Sequence, residues 1–82
     1  MEYVLTKHAR ERMRERAISE AIIRVALLQP TEVSSDTEGR LLVKKLYQSN
    51  RGKRILLIAG EPVNNKLKIF TVIDSSKVKK YL

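Results

Sequence analysis

Eighty-two residues make one small domain, with room for a single hydrophobic core. Seventeen Lys+Arg against nine Asp+Glu give a formal charge of +8, so nucleic acid or another anionic surface is the first partner to expect, although a densely charged solvated surface fits the same count. With no cysteine, one histidine and no run of 18 apolar residues, disulfides, thiol nucleophiles, a histidine-built metal site and a membrane span all drop out.

The opening residues Met1 to Arg12 lack the apolar segment of an export signal, which makes a reducing cytoplasm the expected location. Thr6 is placed to cap a helix over Lys7–Arg16. Ser19 caps a second helix over Glu20–Leu28, with Ile18 and Ile23 at the two positions of a hydrophobic staple, and Pro30 stops it. Ile22, Ile23, Val25, Ala26, Leu27 and Leu28 make this second helix apolar almost all round, so it is expected to be the buried one. The period then changes from helix to strand. Thr31–Asp36 reads as a polar edge strand, Asp36–Gly39 as a turn, Arg40–Gln48 as a longer strand and Ser49–Gly52 as a second turn. Arg54–Gly60, with Ile55-Leu56-Leu57-Ile58, reads as a central strand covered on both faces. Pro62–Asn65 turns the chain into Leu67–Asp74, and a basic tail follows. The expected fold is α+β: two N-terminal helices packed on a roughly four-stranded antiparallel sheet, as one domain over residues 1–82.

The most informative segment is Thr6 to Arg16. On a helical wheel Leu5, Ala9 and Met13 form a narrow apolar stripe, and His8, Arg12 and Arg16 form an i, i+4, i+8 row along its flank. Arg10 and Arg14 point away. Arginines at the rim of a core either pair with Glu11 and Glu15 or face a ligand. In the second case they suit phosphate, which guanidinium binds bidentately, with a neutral imidazole beside them to move a proton. RNA cleavage without a metal requires a base for the 2′-hydroxyl, cations for the phosphorane and an acid for the leaving oxygen. His8 could serve as base or acid, with Arg12, Arg16 and Arg40 as stabilisers and Lys80 or Tyr81 of the tail nearby. Tyr47 could stack on a base, though a half-buried sheet residue is the plainer reading.

On the last strand, strict alternation places Leu67, Ile69, Thr71 and Ile73 on one face and Phe70 and Val72 on the other. Two helices cover only one face, so Phe70 and Val72 are candidates for a partner or homodimer surface. Thr71 stands out on its aliphatic face, though threonine suits strands in any case. No glycine-rich phosphate loop and no metal, kinase or hydrolase motif is present, so no cofactor is expected. A helix-turn-helix fails because no third helix supports the pair and the second helix is too apolar for a major groove.

Leu5 to Arg16, Ile18-Ser19-Glu20, Ala26-Leu27, Pro30, Gly39-Arg40, Thr71-Val72 and the closing Lys-Lys-Tyr together resemble a group of short prokaryotic proteins that carries only a domain-of-unknown-function label. That group is similar to RelE-like toxins of the barnase–colicin–RelE set of metal-independent ribonucleases. The resemblance implies a RelE-like fold, RNA as substrate and an antitoxin protein as partner. It also puts functional positions on His8, Arg12, Arg16, Arg40 and Thr71, with Lys80 and Tyr81 matched in the tail. One departure stands out: the group usually has glycine after the Glu-Arg that closes the first helix, whereas this chain has Ala17, which weakens the expected helix stop. Two other classes of function compete with an endoribonuclease: a basic RNA- or DNA-binding module without chemistry, and a small interaction protein that uses the sheet face.

Overall fold

Helical periodicity in the first third of the chain and alternation in the rest become two layers in the computed structural model, which describes residues 2–82. The elements in order are β1 (Tyr3–Leu5), α1 (Lys7–Glu15), α2 (Glu20–Leu28), β2 (Glu32–Ser35), β3 (Leu41–Ser49), β4 (Gly52–Val63), β5 (Lys66–Ser75) and α3 (Val78–Tyr81). The class is α+β, as expected. The sheet, however, has five strands in the order β1-β5-β4-β3-β2 and is mixed, because β1 joins β5 in parallel while the other pairs are antiparallel. The four-stranded antiparallel expectation missed β1 because three residues are too few to show an alternation. The four-residue α3 was hidden in a lysine-rich tail that has no buried side chain to mark a period.

α1 and α2 lie on one face of the sheet. Their Ala9, Met13, Ile23 and Ala26 meet Val43, Leu56, Ile58, Leu67, Ile69 and Val72 in a single core, joined by Leu5 and Ile18. The expectation that α2 is the buried helix needs correcting: Val25 and Leu28 are 47% and 73% exposed, because α2 crosses the sheet with only one side against it. β4 does run through the middle, with Ile55, Leu56, Leu57 and Ile58 all buried. Leu56 and Ile58 face the helices, so alternation puts Ile55 and Leu57 on the opposite face. α3 packs against β4, the strand that carries them.

Alternation fails at one place on β5. Ala59 pairs with Thr71, but the next residue, Gly60, pairs with Ile69, leaving Phe70 without a partner on β4. This β-bulge reverses the facing of everything after it. Val72 is therefore fully buried under the helices with Leu67 and Ile69, while Thr71 stays on the open face. The expected partner surface of Phe70 and Val72 does not exist, because the extra residue sends the two side chains to different surroundings. The bulge depends on Gly60, where a Cβ would run into the carbonyl oxygen of Lys68.

Candidate nucleic-acid interface

α1 is fixed at both ends by the sequence around it. The Thr6 N–H continues the β1 ladder to the Ile69 carbonyl at 3.1 Å. The Thr6 hydroxyl accepts the Ala9 N–H at 3.1 Å, satisfying one of the donors a helix start leaves unpaired. At the other end Ile18 N–H reaches the Met13 carbonyl at 2.9 Å and Ala17 N–H the Arg14 carbonyl at 3.3 Å, the double bond pattern of a left-handed helix stop. Ala17 takes the left-handed conformation, with φ of 54°. The stop that glycine usually makes is thus made here by alanine, at a conformational cost of about 1 kcal/mol.

Between these caps, α1 buries only Ala9 and Met13. Lys7, Arg10 and Arg14 of α1, and Arg16 just after it, are exposed and have no carboxylate partner among the described residues. Arg12 lies between His8 and Glu15. Its Nε–H donates to His8 Nε2 at 3.4 Å, and its Nη1 lies 3.4 Å from Glu15 Oε2. The His8–Arg12 part of the expected row is therefore in contact, and Arg16 caps the helix through its backbone, donating to the Arg12 carbonyl.

Arg40 and Thr71 lie elsewhere. Together with Ser34, Leu42, Ala59 and Phe70 they line a shallow cavity of about 460 Å³ on the open face, across the sheet from α1. Arg40 is already engaged there: its Nε contacts Asp36 Oδ2 at 2.7 Å and its Nη2 contacts Glu38 Oε2 at 3.1 Å. Asp36 Oδ1 also accepts the backbone N–H groups of Glu38 and Arg40 in a turn closed by Gly39 at φ 84°. The Arg40 backbone N–H leads in holding the Asp36 carboxyl below its ordinary range, and the bond to Asp36 raises the Arg40 guanidinium above its own. The sheet thus separates Arg40 and Thr71 from His8 and Arg12.

Tyr47 is half-buried, and its hydroxyl donates to Asp74 Oδ1 at 2.7 Å, where Arg54 Nε also donates at 3.1 Å. Burial, then the bond to this carboxylate, pushes the phenol above its usual value. Arg54 and Asp74, with side chains 16% and 14% exposed, were not foreseen as a pair. The two-residue turn Asn50-Arg51 places Tyr47 opposite Arg54 by counting alone, but Asp74 reaches their face only because of the bulge. In the tail, Lys80 is exposed and holds its Nζ 5.5 Å from the ring centre of the half-buried Tyr81. Among the described residues no three His, Cys, Asp or Glu side chains group as metal ligands, and no helix is long and apolar enough to cross a membrane.

Neither the curated proteins nor the solved structures contain a match to this sequence. A family match covers residues 5–74, from the end of β1 to the aspartate that anchors Tyr47 and Arg54. By that match the chain belongs to DUF4258, a family described as a domain of unknown function.

Proposed function

We propose that the chain binds RNA through α1 and cleaves it without a metal ion, as the toxin half of a toxin–antitoxin pair of RelE-like kind. The observation that carries this reading is the contact of His8 Nε2 with Arg12 on an exposed helix rich in unpaired cations. A phosphodiester that draws the Arg12 guanidinium onto its oxygens frees Nε2 to take the proton of the adjacent 2′-hydroxyl. The 2′-oxygen then attacks phosphorus, the P–O5′ bond breaks, and the 5′-oxygen takes a proton from a water that is in turn reprotonated by the His8 imidazolium, giving a 2′,3′-cyclic phosphate and a 5′-hydroxyl and restoring His8. Arg12 and its neighbours on α1 offset the charge that builds on the phosphorane.

The test is cleavage of a defined single-stranded RNA in chelator by the wild type, His8→Ala and Arg12→Ala. The expected result is cyclic-phosphate ends with wild type, a loss of at least about a hundredfold for His8→Ala at unchanged RNA affinity, and losses in both rate and affinity for Arg12→Ala. A second reading, RNA binding without chemistry, is favoured by the position of Arg40, which is held by two carboxylates on the far side of the sheet from His8. It predicts salt-sensitive binding, no cleavage, and no effect of His8→Ala.

A further inference from the structure

The charge of this domain is segregated along its strands. One end of the sheet gathers the β2–β3 and β4–β5 turns, and there the carboxylates of Asp36, Glu38 and Glu61 stand among the cations. At the other end β3 turns into β4 and β5 runs into α3. Leu41 to Gly60 contains no Asp or Glu, and neither does Ser75 to Leu82. Two strand carboxylates stand in adjacent rows nearer the middle of the sheet, and both are taken up: Asp74 by Arg54 and Tyr47, and Glu32 by Lys44.

Five exposed cations remain at that end: Arg51 in the turn, Lys53 on β4, and Lys77, Lys79 and Lys80 around α3. None has a carboxylate partner among the described residues. The register brings them together. Ile55 pairs with Ser75, so Lys53 stands two residues, about 7 Å, beyond the last β4–β5 pair, beside the chain leading into α3. α3 in turn packs back on β4. Like charges gathered without acids repel one another and are stabilised by a polyanion whose charges are spaced along a strand.

We infer that this end of the sheet is a second contact surface for the RNA phosphate backbone, outside α1, formed by the β3–β4 turn and α3. The inference rests on the RNA reading above and extends it: a single strand is held at two places on the domain, and the contacts add. Neutralising two phosphate contacts lowers the salt slope of single-strand binding by about 1.4, which at 0.1 M salt corresponds to roughly tenfold or more in affinity.

The experiment is fluorescence anisotropy with a labelled 20-nucleotide single-stranded RNA over a salt series. It compares the wild type with three double variants of equal charge: Lys53→Ala/Lys79→Ala, the α1 variant Arg10→Ala/Arg14→Ala, and the control Lys66→Ala/Lys68→Ala at the opposite end of β5. All six side chains are exposed, so thermal melting should be unchanged. The expected result is a loss of slope and affinity for the first two variants and little change for the control. A full loss in the control overturns the assignment, because net charge alone then explains it. Wild-type behaviour of Lys53→Ala/Lys79→Ala beside a weakened α1 variant overturns the second surface and leaves the RNA reading standing. No salt-dependent binding by the wild type removes both.

Discussion

α1 and α2 are each nine residues long and rest on the same face of the sheet, yet they are held there by opposite means. α1 is polar over most of its surface. It seats only Ala9 and Met13, and its ends are tied by the Thr6 hydroxyl and by the left-handed stop at Ala17. α2 is apolar almost all round but also buries only two side chains, Ile23 and Ala26, and its Ser19 cap makes no side-chain bond. Its C-terminal end is steadied from the sheet instead, where Lys45 Nζ donates to the Gln29 carbonyl at 2.7 Å. The difference teaches that the width of the seat on the sheet, not the apolarity of the helix, decides how much is buried. Surplus charge on α1 and surplus apolar surface on α2 both face outward.

The largest effect that sharpens this contrast lies within α2 itself. Ile23→Ala should cost about 2–5 kcal/mol, since the side chain is fully buried, while Leu28→Ala on the same helix should stay within about 0.5 kcal/mol. Denaturant unfolding of the two variants measures both, and equal losses would break the account of a one-sided seat. A smaller effect separates the caps: Thr6→Ala should cost about 1 kcal/mol and Ser19→Ala close to nothing, as read from the same unfolding curves. The smallest runs the other way. Ala17→Gly should stabilise the protein by about 0.5–1 kcal/mol, because glycine reaches positive φ freely, and a loss of stability there would contradict the left-handed stop.

Much of this was legible in the residues. The span of α2, the cap at Thr6, the burial of Ile18 and Ile23, and the covered Ile55–Ile58 run follow from periodicity and capping chemistry alone. The failures in the sheet share one cause, in that each depends on pairing between distant segments. Phe70 and Val72 share a face by strict alternation, but only the approach of Gly60 to Lys68 shows that Phe70 itself is the residue left over. Tyr3-Val4-Leu5 becomes a strand only because Leu67 to Ile69 is there to receive it. For the candidate site, wheel geometry found the neighbouring His8 and Arg12, since both lie on one helix. It had no means of showing that Arg40 and Thr71 stand across the sheet, or that the cations at the β3–β4 turn and at α3 face the same solvent.

The pairing of β1 with β5 also bears on how the protein comes into being. Tyr3 meets Leu67, 64 residues further along the chain, and α1 rests chiefly on β5, the last strand to be made. During synthesis the first helix therefore leaves the ribosome long before its seat exists, and it waits with Ala9 and Met13 uncovered until residues near Ser75 have followed. Closure of the sheet is a late step that depends on nearly the whole domain. A truncation that removes β5 takes away not one edge of the structure but the support of its N-terminal helix.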